Sequence, residues 1–356
     1  MQTESTCIKI PKTQGEKTIA LAKKLKLINE TLEIQSDEES VYIPIANKPS
    51  EDLWQTLEHQ TSNVEITTRF FPERNKAKPS LTEMLKDKLP AHLLASLPRA
   101  VDFVGDIAII EVAPELEAHQ HVIGEAILRN NQNVQTVLAK AGAVAGTYRL
   151  REFRVIAGTP KTETVHNEYG CKYYVDLAKA YFSPRLAYEH NRVASLVNEG
   201  ETVIDLFAGI GPFTIPIAKK HQDATIYAID LNSYAIEYLR TNAMLNKVVG
   251  RVHSILGDAR QVINNKLKGL ADRAIMNLPE KALEFVDTAC KALKPTGGVI
   301  HFYSFTNASD SLENLKQNFA ITVERAGREV VEILYARSVR ETAPHEFQVV
   351  LDAKIH

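Results

Sequence analysis

Residues 203–213, with the sequence VIDLFAGIGPF, constrain the fold of this chain more than any other segment. An apolar strand pattern ends at Asp205, and a turn containing Gly209 and Gly211 leads into a predicted helix. Glycines in such a turn let a nucleoside ligand approach backbone N–H groups that side chains would otherwise shield. Thr214 stands where dinucleotide-binding turns carry a third small residue, so the acidic strand end favours S-adenosylmethionine over a dinucleotide.

The segment after residue 183 alternates between strand and helix patterns, which is typical of a parallel sheet with crossover helices. Four predicted strands end in polar residues, at Asp205, Asp230, Asp258 and Asn277. Because open α/β sheets bind ligands at the carboxyl ends of their strands, these residues predict one binding site, with Asp230 suited to ribose hydroxyls. The segments GGVIHFYSF, REVVEILYA and HEFQVVLDAKI predict a fifth strand and an antiparallel closing pair.

Each of these strand-end residues also has a simpler explanation. A single strand-end aspartate is more often a helix cap or a turn former. The segment 277–279, Asn-Leu-Pro, can be merely a turn that opens the next helix. Polar groups at four successive strand ends nevertheless favour a ligand site, because the simpler explanation would have to hold at every one of them.

Composition divides the 356 residues into three predicted regions and a linker. Residues 1–62 combine a helical pattern with short strands, which predicts a small amino-terminal α/β module. Residues 63–80 end in a basic stretch with two prolines and no regular periodicity, as linkers do. Residues 81–178 mix helices with closely spaced strands and predict an α+β domain, and residues 179–356 form the predicted parallel α/β domain.

The balance of charge limits the partners of this chain. It has 42 Lys and Arg against 44 Asp and Glu, so any nucleic-acid surface has to be a local patch. The candidate patches are Arg69–Lys88 and Arg149–Arg154; the arginines of the second lie along a predicted strand that faces either solvent or RNA. No segment approaches the roughly 20 apolar residues of a bilayer span. We see no secretory signal and expect a cytoplasmic protein without membrane association.

The sequence does not predict a metal site. Glu117, His119 and His121 lie close together, but no further ligand with metal-site spacing accompanies them, so we expect an exposed polar loop. The cysteines are odd in number and lack CxxC spacing, which predicts reduced and mostly buried thiols at Cys7, Cys171 and Cys290.

The segment YFSPRLAYEH joins the middle region to the predicted parallel sheet. Pro184 suits the first position of a helix, and Arg185, Glu189 and Arg192 then follow at spacings of three or four residues. From spacing alone, we interpret this helix face as solvated, with an ion pair from Glu189 to Arg185 or Arg192.

Several of these motifs together resemble the archaeal and eukaryotic tRNA (guanine-N1)-methyltransferase family. They are DLFAGIGPF, YFSPRLAYEH, the Asn-Leu-Pro segment, and the pairs Tyr148-Arg149 and Ala157-Gly158. The family methylates guanosine 37 of tRNA, beside the anticodon, and the resemblance covers the chain from about residue 80 onward and the first module more loosely. It implies a class I, Rossmann-like methyltransferase domain whose mostly parallel sheet ends in an antiparallel closing strand. An α+β RNA-recognition domain and a small module that recognises tRNA shape would precede that domain.

The resemblance also implies roles for individual residues. Glu189 would be the general base, because guanine N1 has to lose its proton before it can accept a methyl group. Arg149 would stabilise the charge that develops on guanine O6, and Tyr181 would position cofactor and base. The implied S-adenosylmethionine-binding residues are Tyr181, Asp205, Phe207, Gly209, Gly211, Asp230, Leu231, Asp258, Ala259 and Asn277. The implied tRNA-binding residues are Arg149, Ser183, Arg185, Asn277, Leu278 and Pro279.

Within this interpretation, Asp205 would contact the methionine end of the cofactor, and Asp258 the adenine side. The family also implies tRNA as the partner, no obligatory protein partner and a monomeric enzyme. His190 departs from the pattern, because relatives often carry arginine at this position, and this puts a secondary RNA contact in doubt.

Two other functions remain open. A wyosine-pathway transferase would act on a modified guanosine 37, by aminocarboxypropyl transfer or by carbon methylation of the tricyclic precursor. Relatives that transfer the aminocarboxypropyl group should not need a base such as Glu189 and usually lack the Asn-Leu-Pro segment, and this chain has both. A non-catalytic RNA-binding protein with a vestigial nucleotide fold is the third possibility, and the retained Asp205, Asp230 and Glu189 argue against it.

Overall fold

The computed structural model describes residues 2–61, 63–74, 79–142, 146, 148–307 and 312–356. It divides the chain into two compact units, Met1–Pro79 and Ser80–His356. Residues 75–78 of the predicted basic patch Arg69–Lys88 lie outside the described residues.

The first unit is a four-stranded antiparallel sheet with two helices against it, and its strand order is β2-β3-β1-β4. Its core is aliphatic: Ile8, Ile10 and Ile43 on the sheet are completely buried in one cluster with Ala22 and Leu57 on the helices. The strands are β1 Gln2–Pro11, β2 Gln35–Ser36, β3 Ser40–Pro44 and β4 Glu65–Pro72, and the helices are α1 Gly15–Lys24 and α2 Glu51–Gln60.

Strand β4 corrects the predicted linker at 63–80. All of β4, residues 65–72, pairs with residues 2–9 of β1, so this segment is part of a sheet and does not connect two domains. Phe71 is completely buried beside Cys7 and Leu32, and this burial anchors the strand. The basic residues and the prolines concealed the strand in the sequence, because one apolar side chain is enough to fix an edge strand in place.

The second unit begins with a four-stranded mixed sheet, in the order β5-β6-β7-β8, and a separate hairpin. Strands β6 and β7 are parallel, and the other pairs are antiparallel. The sheet strands are β5 Asp102–Val104, β6 Ile107–Ile110, β7 Thr136–Lys140 and β8 Phe153–Gly158. The hairpin is β9 Glu163–Glu168 with β10 Cys171–Asp176, and the helices are α3 Leu81–Leu85, α4 Ala91–Leu94 and α5 Gln120–Asn130.

The predicted strand over residues 147–158 is wrong between residues 148 and 152, and residue 147 lies outside the described residues. Arg149 has a positive φ of 56°, and its N–H donates to the carbonyl of Gly146 at 3.1 Å, so this part of the chain is a turn. A left-handed backbone angle at a non-glycine residue is not encoded by side-chain alternation, which explains why the pattern suggested a longer strand. Arg149 and Arg151 therefore precede β8, whereas Arg154 lies on it.

The remainder of the second unit is a seven-stranded sheet, in the order β13-β12-β11-β14-β15-β17-β16. The pairs from β13 to β15 are parallel, and the pairs of β17 with β15 and β16 are antiparallel. This confirms the predicted class I methyltransferase fold, with a mostly parallel sheet and an antiparallel closing pair. The strands are β11 Thr202–Asp205, β12 Thr225–Asp230, β13 Val252–Leu256, β14 Arg273–Met276, β15 Gly298–Asn307, β16 Val330–Ala343 and β17 Glu346–Ile355. The helices are α6 Ala187–Leu196, α7 Thr214–Lys220, α8 Ser233–Leu245, α9 Ala259–Val262, α10 Val286–Ala292 and α11 Leu312–Arg325.

Alternating side chains on the parallel strands build the core on both faces of this sheet. On β11, Val203 belongs to one buried cluster and Ile204 to the other. The Val203 cluster continues into the preceding sheet and hairpin through Leu138 and Val175, so the mixed sheet and the parallel sheet share one core. This packing fixes the strand ends that form the site.

The described helices include none that is long and apolar enough to span a membrane. The three cysteines are free and buried, which confirms that part of the prediction. His121 lies on α5, where its Nδ1 is 2.9 Å from the carbonyl oxygen of Ile156, and Glu117 accepts a hydrogen bond from Arg154.

Candidate active site

A cavity of about 310 Å³ lies at the carboxyl edge of the parallel strands. Its walls come from the residues after β11, β12, β13 and β14, the turn before β8, the segment before α6, and the antiparallel strands. The cavity brings together most of the predicted site residues, which are Arg149, Tyr181, Ser183, Phe207, Gly209, Asp230, Leu231, Asp258, Ala259, Asn277, Leu278 and Pro279. The predicted site residues that do not line it are Arg185, Glu189, Asp205 and Gly211.

The two glycines of the turn after β11 serve different purposes. Both have positive φ angles, 54° at Gly209 and 94° at Gly211. A Cβ atom at Gly211 would lie 2.4 Å from Leu239 Cδ1 on α8, so this glycine is needed for packing. A Cβ atom at Gly209 would approach only the carbonyl oxygen of Tyr181, at 3.9 Å, so here the backbone is open toward the cavity.

Asp230 connects this turn to the end of β12. Its carboxylate accepts hydrogen bonds from the N–H groups of Gly209, at 2.7 Å, and Asn232, at 2.8 Å. Desolvation raises the pKa of Asp230 above its usual range. Asp258, after β13, caps α9 by accepting from the N–H of Arg260 at 2.8 Å, and it also lines the cavity. It is therefore both a helix cap and a residue of the candidate site.

Asp205 lies beneath the turn and is completely buried. Its Oδ2 accepts a hydrogen bond from the Thr214 hydroxyl at 3.1 Å, and its Oδ1 is 3.4 Å from the N–H of Phe207. Burial raises the pKa of Asp205 to about 7. These contacts hold the turn against α7, and the contact with the methionine end of the cofactor stays a prediction.

Arg149 extends from its turn into the cavity wall. Its guanidinium pairs with Glu280 at 3.2 Å and lies 5.3 Å from the centre of the Tyr181 ring. Its Nε is buried and has no hydrogen-bond partner among the described residues. Glu280, the residue directly after the Asn-Leu-Pro segment, was not among the predicted site residues.

Glu189 is 1% exposed, so the predicted solvated face of this helix is wrong. Its Oε2 accepts hydrogen bonds from Arg192 Nε at 3.0 Å and from the hydroxyl of Tyr303 at 2.9 Å. Its Oε1 is buried and has no hydrogen-bond partner among the described residues. The predicted ion pair with Arg192 is confirmed, whereas Arg185 pairs with Asp102 instead, at 2.6 and 2.8 Å.

The neighbours of Glu189 on the same segment reach the cavity. Leu186 and His190 both line it, so Glu189 lies on a helix that borders the cavity. His190 Nδ1 is 2.7 Å from Glu168 Oε1, and the His190 ring packs edge-on against Phe213. This arrangement buries His190, which is 2% exposed.

The antiparallel strands supply cavity residues that the sequence analysis missed. Phe305 on β15, Gln348 on β17 and Arg340 on β16 lie in one row across the sheet and all line the cavity. Arg340 Nε donates to Gln348 Oε1 at 2.9 Å, and Gln348 Nε2 is 3.4 Å from Asn277 Oδ1. One signal in the sequence could have indicated Gln348. A glutamine within the apolar pattern of a central strand is buried, and a buried polar side chain needs a hydrogen-bond partner.

The arginines of the second predicted basic patch, and Arg69 of the first, are paired with acceptors. Arg69 lies 3.7 Å from Asp37, and Arg154 bonds Glu117 at 3.0 Å. Arg151 donates to the carbonyl of Gly142 at 3.0 Å. An RNA ligand at these patches would therefore compete with internal contacts.

Family models match three successive parts of the chain. The TRM5/TYW2 methyltransferase domain matches residues 164–331, and the TYW2 N-terminal domain matches residues 81–162. The tRNA methyltransferase 5 N-terminal domain matches residues 7–53.

Curated relatives carry three different activities. The tRNA 4-demethylwyosine(37)-methyltransferase Taw21 of Saccharolobus solfataricus is 37% identical over 72% of this chain and 94% of its own length. The tRNA (guanine(37)-N(1))-methyltransferases Trm5b of Pyrococcus abyssi and of Methanocaldococcus jannaschii are each 35% identical, over 98% of this chain and 98% of their own length. The tRNA(Phe) (4-demethylwyosine(37)-C(7)) aminocarboxypropyltransferase of Methanocaldococcus jannaschii is 34% identical over 70% of this chain and 96% of its own length.

Solved structures agree with this relationship. Trm5b from Pyrococcus abyssi superposes with a TM-score of 0.72 and 34% identity, covering 99% of both chains. A complex of aTrm5 with tRNALeu gives a TM-score of 0.68 and 33% identity, covering 98% of this chain and 99% of the other. TYW2 of Methanocaldococcus jannaschii in complex with AdoMet gives a TM-score of 0.56 at 32% identity, covering 72% of this chain and 99% of the other.

The full-length similarity at 35% identity and the methyltransferase family model bear out the family that the sequence motifs predicted. The cavity at the strand ends is where an open α/β sheet of this kind binds its ligand. The chain therefore belongs to the tRNA (guanine37-N1)-methyltransferase family and is an S-adenosylmethionine-dependent methyltransferase.

Proposed function

We propose that this enzyme transfers the methyl group of S-adenosylmethionine to N1 of guanosine 37 in tRNA. Glu189 would act as general base and Arg149 would stabilise the charge on guanine O6. One observation carries the proposal: Arg149, Tyr181 and Asn277 line the same cavity as the nucleoside-binding strand ends. Similarity over the full length to two guanine-N1 methyltransferases supports it.

The cavity suits the cofactor by its shape and by its donor and acceptor groups. Gly209 leaves the backbone of the turn open, the Asp230 carboxylate is positioned for ribose hydroxyls, and Leu231 offers an apolar wall. When bound there, the cofactor supplies an electrophilic methyl group, which bonds to the N1 electron pair as the C–S bond breaks and S-adenosylhomocysteine remains.

The chain's own contribution to the chemistry is the removal of a proton. The proton of guanine N1 would pass to Glu189 Oε1, the oxygen that has no partner among the described residues. Oε2 is held by Arg192 and Tyr303, so the carboxylate cannot rotate freely. The segment's neighbouring residues Leu186 and His190 line the cavity, which supports access from that side.

Arg149 would act on the opposite side of the base. As N1 loses its proton, negative charge spreads to O6, and a preorganised guanidinium stabilises it most in the transition state. The ion pair with Glu280, at 3.2 Å, engages Arg149 Nη2, while Nε has no partner among the described residues and is a donor that O6 could take. The target base has to leave the anticodon-loop stack first, at a cost of a few kcal/mol.

We also propose a role for each part of the chain. Residues 1–62 would recognise tRNA shape, residues 81–178 would bind RNA, and residues 179–356 would carry the methyltransferase site. The enzyme would act as a cytoplasmic monomer without an obligatory protein partner.

The first module also helps to weigh the wyosine-pathway alternative. The aminocarboxypropyltransferase relative matches only 70% of this chain although 96% of its own length is covered. The region from residue 7 to 53 matches a tRNA methyltransferase 5 domain, and this favours guanine-N1 methylation.

Product mapping distinguishes the two functions. Unmodified tRNA transcripts with guanosine or adenosine at position 37 are incubated with labelled S-adenosylmethionine, and the product is mapped by mass spectrometry. We expect a single methyl group on N1 of guanosine 37 and none on the adenosine transcript. Reaction confined to tRNA that carries the tricyclic precursor would favour the alternative.

A further inference from the structure

We infer that a buried chain of charged groups, which leads from Glu189 away from the cavity to Glu201, sets the basicity of Glu189. Arg192 and Asp352 in this set, and Tyr303 beside it, are positioning residues, since they act through Glu189 and not on the substrate. The inference rests on the proposed role of Glu189 as general base. We call this set of residues the buried charge chain, and its members are Glu189, Arg192, Asp352, His301, Arg273 and Glu201.

Arg192 links the two carboxylates nearest to the cavity. It donates to Glu189 Oε2, and its Nη1 and Nη2 donate to Asp352 at 2.5 and 3.3 Å. Its side chain is only 11% exposed, and both carboxylate side chains are 2% exposed. The two carboxylates raise the pKa of Arg192 against the effect of its burial, so it stays charged.

The chain continues on the other side of Asp352. His301 Nδ1 is 2.6 Å from Asp352 Oδ1, and His301 Nε2 is 3.0 Å from Arg273 Nη1. Arg273 then makes a bidentate ion pair with Glu201, at 2.9 and 3.1 Å. His301 is completely buried, and Arg273 is 5% exposed.

The hydrogen bonds fix the charge state of His301. A guanidinium can only donate, so His301 Nε2 accepts from Arg273 and the proton lies on Nδ1, where it donates to Asp352. Burial lowers the pKa of His301, in agreement with a neutral ring. The buried charge chain then holds three carboxylates and two guanidiniums, which leaves one negative charge in excess.

An excess negative charge in a buried network favours the uptake of one proton. Glu189 Oε1 is the oxygen that offers a place for it, because among the described residues it is the one carboxylate oxygen of the buried charge chain that is buried without a hydrogen-bond partner. A proton transferred there from guanine N1 would bring the buried charge chain to neutrality. Arg192 and Tyr303 oppose this uptake by stabilising the carboxylate, and Asp352 favours it by compensating Arg192.

Other groups near Glu189 are accounted for as follows. Arg337 on β16 is exposed and attracts Glu189 only through solvent, which screens the interaction. His190 on α6 is occupied by Glu168. The ring of Tyr335 packs on the Arg192 guanidinium at 4.4 Å and helps to exclude water.

Two substitutions should move the pH profile of the reaction in opposite directions. Asp352→Asn leaves Arg192 uncompensated next to Glu189, so the acid limb of single-turnover methyl transfer should move to lower pH, with a slower rate at high pH. Arg192→Gln removes the cation, and the acid limb should move to higher pH. A change in one neighbouring charge shifts such a limb by about 1–3 pH units.

Tyr303→Phe is the conservative variant, because it removes one donor to Glu189 Oε2 and keeps the aromatic ring. We expect its acid limb to move to higher pH by about half a unit, that is, by less than in Arg192→Gln. Lys291→Gln, which breaks an exposed ion pair with Asp287, is the matched control and should leave the profile unchanged. Circular dichroism and calorimetry with S-adenosylmethionine show whether each variant is folded and binds cofactor.

The outcomes separate this inference from the proposed function. If Glu189→Gln transfers methyl groups at the wild-type rate, the proposed base is wrong. If Glu189→Gln is slow but Arg192→Gln and Asp352→Asn shift the acid limb in the same direction or not at all, the buried charge chain does not set basicity. If either of these two variants does not fold, an unchanged profile in Tyr303→Phe overturns the inference.

Discussion

The two halves of the seven-stranded sheet contribute to one cavity in different ways. In the parallel half, β11 to β14 present turn and strand-end residues such as Gly209, Asp230 and Asn277. In the antiparallel half, polar side chains come from the middle of long strands: Gln348 on β17 lines the cavity, and Tyr303 on β15 donates to Glu189 behind it. The first half offers backbone and carboxylate groups for a cofactor, and the second positions the groups proposed for the chemistry.

This difference leads to a separation of effects. Substitutions in the parallel half should weaken cofactor binding, whereas substitutions that act through the antiparallel half should slow the chemical step at saturating cofactor. The register of the sheet is consistent with these separate effects. The row Phe305–Gln348–Arg340 lines the cavity, and the row Tyr303–Val350–Arg337 lies two residues further along β15, away from it.

The largest expected effect is on the chemical step. Glu189→Gln should lower the single-turnover rate of methyl transfer by about 10²–10⁴-fold, as the loss of a general base does. Its affinity for S-adenosylmethionine, measured by calorimetry, should change by less than about threefold, because Glu189 bonds Arg192 and Tyr303 rather than the strand-end residues proposed to bind the cofactor. Equal losses in both quantities would remove the assignment of the base.

The second effect concerns stability in the parallel half. Burial raises the pKa of Asp205 in the folded protein to about 7. The unfolded chain gives up this proton at lower pH, so the protonated side chain stabilises the folded protein fully at low pH, and this stabilisation is lost as the pH rises toward 7. Asp205→Asn lacks this loss. The difference in unfolding free energy between pH 5 and pH 8, from urea denaturation, should therefore shrink by up to about 3 kcal/mol. The same substitution at exposed Asp223 is the control and should leave the difference unchanged.

The third effect is on cofactor affinity. Asp230→Asn keeps the shape of the side chain and can still accept from the Gly209 N–H, but it loses the charge that would bind ribose hydroxyls. We expect the dissociation constant for S-adenosylmethionine to rise by about 10–100-fold, with the single-turnover rate at saturation nearly unchanged. A fall in that rate without a change in affinity would contradict the division between the two halves.

The smallest effect is on tRNA binding. Arg337 on β16 is exposed and donates to the Tyr335 hydroxyl at 3.2 Å, and its guanidinium lies 5.7 Å from the exposed Tyr188 ring. Arg337→Gln should weaken tRNA binding about two- to fivefold and reduce the dependence of log K on log salt by about 1. Arg154→Gln, whose partner is Glu117, should change both less. A flat salt response in the wild type would count against a tRNA substrate.

The sequence predicted the parallel half well, for physical reasons. Its strands are apolar on both faces, and their ends are marked by Asp205, Asp230 and Asn277. Glycine and proline mark the turns after these strands, so the residues of the motifs are also the residues that end the strands. The residues that gather in the cavity come from these marked positions.

The sequence predicted the remaining regions less well. Strand β4 was missed because a single buried residue, Phe71, anchors it among basic neighbours. The turn at Arg149 was missed because a positive φ leaves no trace in alternation. His301, Gln348 and Asp352 were missed because their partners are 28 to 160 residues away or on another strand, so spacing along the chain carries no signal.

The pH dependence of single-turnover methyl transfer to tRNA with guanosine 37, in the wild type and in Glu189→Gln, tests the central claim most directly. The account predicts that the wild-type rate falls toward acid pH along a limb that reports one proton. Glu189→Gln should be slow at every pH and should have lost that limb, while it still binds the cofactor. A Glu189→Gln enzyme that retains the wild-type limb and rate would contradict the account.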